Sequence, residues 1–155
     1  IPKDKYNEVA EAKKKLETYL KINNNPLHPV ITADTLVSCD NLILGKSENK
    51  EQAKEQLQLL SNRDHFVYSG FGLYLPHLKK SFYDYDICTV TFKKLEEKEI
   101  DEYIKTKEYE GAAASYRIQG KAKNFILKIT GDINTVVGLP LNKISAIFKQ
   151  PYNFI

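Results

Sequence analysis

One carboxylate stands where the sequence predicts a buried strand. Residues 29–37 are rich in β-branched and apolar side chains, which is typical of a strand covered on both faces, and Asp34 lies inside this run. Aspartate is disfavoured in strands, and an unpaired charge in a protein interior is very costly. Asp34 therefore needs a partner, and a metal ion, a cationic side chain or a substrate group would each meet that need.

The tripeptide Gly45-Lys46-Ser47 resembles the end of a phosphate-binding loop, in which a lysine reaches the phosphates of a nucleotide. That motif requires a glycine five residues before Gly45, and Asp40 stands there instead. The residues between them also read as a strand rather than as a flexible loop, so the sequence argues against this motif. Lys46 can still contact a phosphate from the end of a hairpin, but these residues alone favour the alternative, a solvated turn lysine.

The histidines and a second pair of aspartates favour structural or surface roles. No histidine has a nearby serine or cysteine in the arrangement of a nucleophile and its base; the histidines are His28, His65 and His77. Asp84 and Asp86 are two positions apart in a predicted strand, so both face the same side, toward either a divalent cation or solvent. Solvent is the usual partner of aspartate, and the sequence favours it here.

The composition indicates one globular domain, which we expect to span residues 1–155. No apolar run approaches the roughly 18 residues of a membrane helix, so we expect no membrane association. The net charge of +3, from 23 basic and 20 acidic residues, is too balanced for a protein that holds nucleic acid mainly through its phosphates. Cys39 and Cys88 have no zinc-site or disulfide-framework spacing, which fits a reducing cytoplasm.

Hydrophobic spacing predicts helices that alternate with strands. Helices are predicted over residues 7–20, from a cap at Asn49 through Leu60, from a first turn at Glu96 and Glu97 to near Thr106, and over residues 121–129 and 141–149. Strands are predicted over residues 29–37 and 42–44, which form a hairpin, and in long runs between residues 65 and 92. This order predicts an α/β protein with a mixed sheet.

Several short segments occur in an order and spacing that resembles the Maf family of nucleoside triphosphate pyrophosphatases. They are Ala33-Asp34-Thr35, Leu44-Gly45-Lys46, Leu60-Ser61 with His65, Val90-Thr91-Phe92, Ile118-Gln119-Gly120 and residues 136–141. Each segment is weak alone, but the ordered set is specific. The resemblance implies an ITPase-like α/β fold with a mixed, elongated sheet flanked by helices. Within the family, Ala-Asp-Thr together with Ile-Gln-Gly marks the branch that prefers dTTP and UTP.

Three features depart from the family pattern. The family opens with a strand and a phosphate-holding Ser-x-Ser-Pro-Arg-Arg loop, and we expect this sequence to lack both, because nothing before the first predicted helix matches them. The family stretch Asp-Lys-Ala-Gly-Ala-Tyr-Gly-Ile-Gln-Gly corresponds to residues 111–120, where Ala112 replaces the lysine. Ser47 replaces the proline that usually follows Gly-Lys. The change at Ala112 removes one expected phosphate contact.

The resemblance also implies hydrolysis between the α and β phosphates of dTTP, UTP or related modified nucleotides. Asp34 would be the catalytic base or a ligand of Mg²⁺ or Mn²⁺, and Glu108 a second metal ligand. Lys46 would take part in catalysis by offsetting the phosphate charge, and Lys13 and Arg117 would bind the phosphates.

Two further residues would select the nucleobase. Gln119 offers both a donor and an acceptor to the edge of a pyrimidine, and Thr35 adds a hydroxyl next to Asp34. The nucleoside triphosphate would be the partner, stable nucleic-acid binding is not expected, and the family resemblance implies a homodimer.

A rival interpretation is a nucleotide-binding or interaction protein that has kept the fold and lost the activity. The unmatched opening loop and Ala112 favour this rival, whereas Asp34, Lys46 and Gln119 favour the enzyme.

Overall fold

The computed structural model describes residues 7–150 of the chain. Its helices are α1 (Glu8–Ile22), α2 (Lys50–Leu60), α3 (Glu97–Lys105), α4 (Ile133–Val137) and α5 (Leu141–Phe148). Its strands are β1 (Val30–Cys39), β2 (Leu42–Ile43), β3 (Asp64–Leu75), β4 (Lys80–Phe92) and β5 (Ile126–Thr130). A 3₁₀ helix, Lys121–Phe125, precedes β5. No helix within this range is both long and apolar enough to cross a membrane.

The strands form one sheet in the order β2-β1-β3-β4-β5, and the pairings within residues 7–150 are all antiparallel. Asp40 and Asn41, with φ angles of 49° and 63°, make the tight turn between β1 and β2. The predicted α/β class with flanking helices is confirmed. The sheet is antiparallel in this range rather than mixed: β3 and β4 follow each other through a short turn, and the longer connections that carry α2 and α3 also return the chain antiparallel to its neighbour.

β1 is more exposed than the sequence indicated. β2 pairs with β1 only at Ser38 and Cys39, so residues 30–36 have no further strand on their outer side within the described part of the chain. Ile31 is accordingly 40% exposed. The prediction of a strand buried on both faces is wrong along this stretch, because residues 30–36 are half-buried or exposed and only the last three residues of β1 are buried.

The helix predicted over residues 121–129 is also wrong. Ala122 and Phe125, three positions apart, are buried from one side of the 3₁₀ helix, and the chain then becomes extended as β5. Ile126 and Ile129 of β5 pair with Phe92 and Val90 of β4. These β-branched residues favour extended backbone, and pairing with β4 overrides their helical spacing.

The sheet has two faces with different coverings. On the first, the α1 face, Gly70 and Gly72 of β3 allow the helix to approach closely: a Cβ on Gly70 would lie 2.5 Å from the backbone carbon of Glu8. The Thr32 hydroxyl also donates to the Ala12 carbonyl of α1 at 2.6 Å. Alternate residues of the same strands point to the opposite side, the pocket face.

Two apolar clusters fill the pocket face. One contains Phe71, Leu73 and Leu75 of β3, packed against Ile144 of α5. The other surrounds Val67 and contains buried residues of α2, α3 and β4, namely Leu57, Leu60, Ile100, Tyr103, Val90 and Phe92. A polar row separates the two clusters, because Thr35, Ser69 and Asp86 are directly opposite one another in the sheet register.

Candidate functional site

A pocket of about 370 Å³ lies where the pocket face of the sheet meets residues 108–120 and α4. It is lined by Thr35 of β1 and by Glu108, Arg117 and Gln119. Thr35 is 73 residues (108 − 35) before the nearest of the other three in the sequence, and each of the four was predicted to be a site residue. Apolar side chains form much of the remaining wall; they include Val37, Val67, Tyr116, Val136 and Val137. The pocket therefore combines an apolar interior with a few convergent polar groups, as binding sites for small molecules do.

Thr35 is held at the pocket wall by the polar row. Its hydroxyl lies 2.9 Å from the Ser69 hydroxyl, which donates to the Thr135 carbonyl at 2.8 Å. The Thr135 hydroxyl in turn donates to Asp86 Oδ2 at 2.7 Å. Ser69 and Thr135 are completely buried. The row therefore fixes α4 on the sheet and fixes the Thr35 side chain beneath the pocket.

Hydrogen bonds made by Glu108 and Arg117 stabilise the pocket segment, residues 108–120. Both oxygens of Glu108 accept from the Lys121 backbone N–H, at 3.0 and 3.3 Å. The Arg117 guanidinium donates to the Glu110 carbonyl at 2.7 Å, and its backbone N–H donates to the Tyr103 hydroxyl at 3.3 Å. Arg117 is nevertheless exposed, so its remaining donors are accessible to an anionic ligand.

The side chain of Gln56 joins the pocket segment to the loop that carries Lys46. Gln56 Nε2 donates to the Gly45 carbonyl at 3.0 Å, and its Oε1 accepts from the Ser115 hydroxyl. Lys46 forms an antiparallel bridge with Ala113, which lines the pocket. Lys46 itself is exposed and does not line the pocket. This arrangement places the Lys46 backbone directly beside the pocket wall.

His65 and Tyr116 form a buried pair behind the pocket. The two side chains hydrogen-bond between His65 Nε2 and the Tyr116 hydroxyl at 2.7 Å, and Phe92 packs edge-on against both rings. Burial lowers the pKa of His65 to about 4, so the imidazole is neutral near pH 7. It raises the pKa of the Tyr116 phenol, which stays protonated. His65 is thus a core residue that anchors a pocket-lining tyrosine.

Asp34 faces α1 and not the pocket. Its carboxylate accepts from Lys15 Nζ at 3.2 Å, and the same ammonium donates to the Ala33 carbonyl at 2.9 Å. Burial, together with the hydrogen bond and charge of Asp34, raises the pKa of Glu8 to about 8. Burial alone would raise the pKa of Asp34 as well, but hydrogen bonds from Glu8 and Lys15 outweigh it and lower that pKa. Asp34 is therefore ionised beside a protonated Glu8.

The predicted site residues fall into two groups. One group lies at the pocket: Thr35, Glu108, Arg117 and Gln119, with Lys46 next to it. The other group, Asp34 and Lys13, lies on the α1 face. Lys13 Nζ lies 5.3 Å from the centre of the Tyr83 ring, which the sheet register places on the α1 face. The two groups meet only at β1, where Asp34 and Thr35 are consecutive.

The described residues do not provide a ready-made metal site. No group of three or more histidine, cysteine or carboxylate side chains within residues 7–150 is placed to hold a metal ion. Asp34 and Glu108, the predicted ligands, are on the α1 side and in the pocket, respectively. Mg²⁺ commonly needs only one or two protein carboxylates when phosphate oxygens complete its shell. Both carboxylates already accept hydrogen bonds, Asp34 from Lys15 and Glu8, and Glu108 from the Lys121 N–H, so a metal ion would have to share their oxygens.

Sequence reasoning missed several residues that hold the site together. Lys15 and Glu8 both contact Asp34. The sequence pattern that could have indicated them is the buried stripe of α1 at Ala12 and Leu16: Glu8 lies on this stripe one turn earlier, and Lys15 is next to it. Gln56 carried a similar signal, because it lies next to Leu57 and one turn after Ala53 on the buried face of α2. No signal in the sequence could have paired Ser69 with Thr35, because that contact depends on strand register.

Comparison with known proteins gives one matching family and relatives that share one name. Residues 2–151 match the family described as Maf-like protein. A dTTP/UTP pyrophosphatase of Bacillus anthracis is 45% identical over 127 residues, which are 82% of this chain and 65% of that protein. A dTTP/UTP pyrophosphatase of Bacillus cereus is 44% identical over 127 residues, with the same coverage of 82% and 65%. The chain thus spans 65% of the length of these curated relatives.

Proposed function

Because the chain belongs to the Maf-like protein family, we propose that it hydrolyses dTTP and UTP to the nucleoside monophosphate and pyrophosphate. The observation that carries this proposal is the pocket, which brings together Thr35 and Gln119 from positions 84 residues apart (119 − 35) in the sequence. The chain is also 45% identical to a protein named dTTP/UTP pyrophosphatase. The size and mainly apolar wall of the pocket suit one pyrimidine ring. Thr35 and Gln119 would then read its polar edge.

With the base in the pocket, the triphosphate chain is proposed to extend out of the pocket and over the outer edge of β1. Asp34 lies one residue beyond Thr35 on the α1 side, and that edge carries no paired strand at either residue within the described range. Arg117 is exposed at the pocket and Lys46 is next to it, so both can offset phosphate charge. Lys13, which lies over the Tyr83 ring, is proposed to bind phosphate on the α1 face.

Asp34 is proposed to act as the base that accepts a proton from the attacking water. Lys15 and the protonated Glu8 keep its carboxylate ionised and hold it in place, so its oxygens can accept a proton. A bound Mg²⁺ or Mn²⁺, held by Asp34 and phosphate oxygens, would supply charge neutralisation at the phosphates. Glu108 is retained as a proposed second ligand, which would have to share its oxygens with Lys121.

The partner is proposed to be a free nucleotide and not a nucleic acid, in line with 23 basic against 20 acidic residues. A reducing cytoplasm is the proposed location, supported by Cys39 and Cys88, which are buried and unpaired. A homodimer is proposed from the family resemblance alone.

A second candidate is nucleotide binding without hydrolysis. It is favoured by the ion pair between Asp34 and Lys15 on the α1 side and by the buried Ala112 in the pocket, where the family has a lysine. Pyrophosphate release from dTTP, UTP, CTP and GTP with Mg²⁺, measured beside calorimetric binding, separates the two. Release from dTTP and UTP supports the enzyme, and binding without release supports the second candidate. Absence of both would contradict the proposed function.

A further inference from the structure

In the polar row beneath the pocket, the donor and the acceptor of each hydrogen bond follow from the groups that take part. A backbone carbonyl can only accept, so the 2.8 Å contact between Ser69 Oγ and the Thr135 carbonyl uses the single hydroxyl proton of Ser69. Ser69 must then accept in its 2.9 Å contact with Thr35, and Thr35 must donate. The Thr35 proton is therefore directed away from the pocket, into the sheet.

This direction determines what Thr35 can offer to a ligand. With its proton committed to Ser69, the Thr35 hydroxyl presents only lone pairs to the pocket that it lines. The arrangement is rigid, because Ser69 and Thr135 are completely buried and the Thr135 hydroxyl is tied to Asp86 Oδ2 at 2.7 Å. A base that offers an N–H to Thr35 gains a hydrogen bond, whereas a base that offers a lone pair meets another lone pair.

We propose that Ser69 is a positioning residue which makes Thr35 an obligate acceptor and thereby selects bases with an imide N–H. Thymine and uracil carry a proton on N3, and cytosine carries a lone pair at the same atom of a ring of the same size. The inference rests on the proposed function, since it takes the pocket as the base site, and it adds the mechanism by which cytosine is rejected.

The test compares kcat/KM for UTP and CTP, which share their sugar and triphosphate. Ser69→Ala frees the Thr35 hydroxyl to rotate and donate to N3 of cytosine, so the preference for UTP over CTP should fall by about tenfold, corresponding to one hydrogen bond. The change should come from faster CTP turnover relative to UTP and not from a uniform loss. A general loss of packing would lower both values together and leave their ratio unchanged.

Two further variants keep the test independent of folding. Ser69→Thr retains the hydroxyl and should restore the preference for UTP. Thr35→Val removes the acceptor and should lower the preference by itself, and adding Ser69→Ala to it should lower the preference no further. Should hydrolysis be absent, the ratio of calorimetric dissociation constants for the same nucleotides replaces kcat/KM.

The outcomes distinguish this inference from the function on which it rests. A UTP preference that survives in Ser69→Ala overturns the inference and leaves the proposed function intact. A fall of equal size in Ser69→Ala with and without Thr35→Val overturns it as well, because Ser69 would then act independently of Thr35. A wild-type protein that neither binds nor hydrolyses UTP or CTP overturns the proposed function together with the inference.

Discussion

Asp34 and Thr35 are consecutive residues of β1 whose side chains lie on opposite faces of the sheet. Asp34 contacts Lys15 of α1, whereas Thr35 contacts Ser69 and lines the pocket. Because the side chains of successive strand residues point to opposite faces, an ionised carboxylate on the α1 face directly precedes a hydroxyl at the pocket wall. Substitutions at the two positions should therefore have separable effects on chemistry and on specificity.

Asp34→Asn should lower kcat for pyrophosphate release from dTTP by about 10²- to 10⁴-fold, because a positioned base contributes that much. The free energy of unfolding should fall by less than about 1 kcal/mol, since the ion pair with Lys15 is partly exposed and screened by solvent. Lys15→Met is the matched control for the free energy of unfolding, because it breaks the same ion pair and keeps the carboxylate. Near wild-type turnover by Asp34→Asn would remove Asp34 from the catalytic step.

His65 should make the protein less stable in mild acid. Its pKa is about 4 in the folded state because of burial, against an ordinary value of 6.5. Between these two values the unfolded chain binds a proton on His65 that the folded protein does not. The free energy of unfolding should therefore fall as the pH is lowered from about 6.5 to 4, by up to about 3 kcal/mol.

Urea unfolding of wild type and His65→Gln at pH 7 and pH 4.5 measures this contribution. Glutamine cannot take up a proton in this range, so the variant should lose less stability between the two pH values than wild type does. The other titrating groups are common to both proteins and cancel in the comparison. Equal losses would show that His65 is protonated with equal ease in the folded and unfolded states.

Local chemistry explains which parts of the fold were predictable from the sequence. The turn at Asp40 and Asn41 and the cap at Asn49, which accepts from the Gln52 N–H at 2.8 Å, depend on neighbouring residues alone. The strand at Ile126–Thr130 depends instead on the exposed edge of β4, which lies 34 residues earlier (126 − 92) in the register pair Phe92 and Ile126. Local spacing cannot report such a partner.

The same division applies to the site. Residue types and order identified Thr35, Glu108, Arg117 and Gln119, and the structure places all four at one pocket. The partner of Asp34 was left open between a metal, a cation and a substrate, and within the described residues it contacts a cation, Lys15. Choosing Lys15 over Lys13 required the rotational position of α1, which is set by tertiary packing of Ala12 and Leu16.

Replacement by glycine should lower the free energy of unfolding less at Ala114 than at Ala113. Ala114 has a φ of 58°, in the left-handed region that is costly for residues with a Cβ, and it occupies the position of a glycine in the family pattern. Both substitutions remove a methyl group, which is fully buried at Ala114, and both add unfolded-state entropy, but only the one at Ala114 relieves backbone strain. Ala114→Gly should therefore be more stable than Ala113→Gly by about 1 kcal/mol in urea unfolding, and the reverse order would contradict strain at Ala114.

Gln56→Met should loosen the pocket segment while leaving the rest of the fold in place. Methionine has a similar size but leaves the Gly45 carbonyl and the Ser115 hydroxyl without the partners that Gln56 provides. Ser115, with a φ of 68°, also depends on its surroundings to keep a left-handed backbone. The free energy of unfolding should fall by about 2 kcal/mol, and amide exchange at Ala114 should accelerate.

Hydrogen exchange followed residue by residue measures this effect, with the amides of Ala12 and Leu16 in α1 as internal references. Gln58→Met is the matched control, because Gln58 is an exposed residue of the same helix. Since Gln56 connects the Lys46 loop to the segment that carries Arg117, dTTP should also bind about tenfold more weakly to Gln56→Met and normally to Gln58→Met. Equal exchange at Ala114 in the two variants would mean that backbone contacts alone, such as the 3.2 Å bond from Ala114 N–H to the Gly45 carbonyl, hold the segment in place.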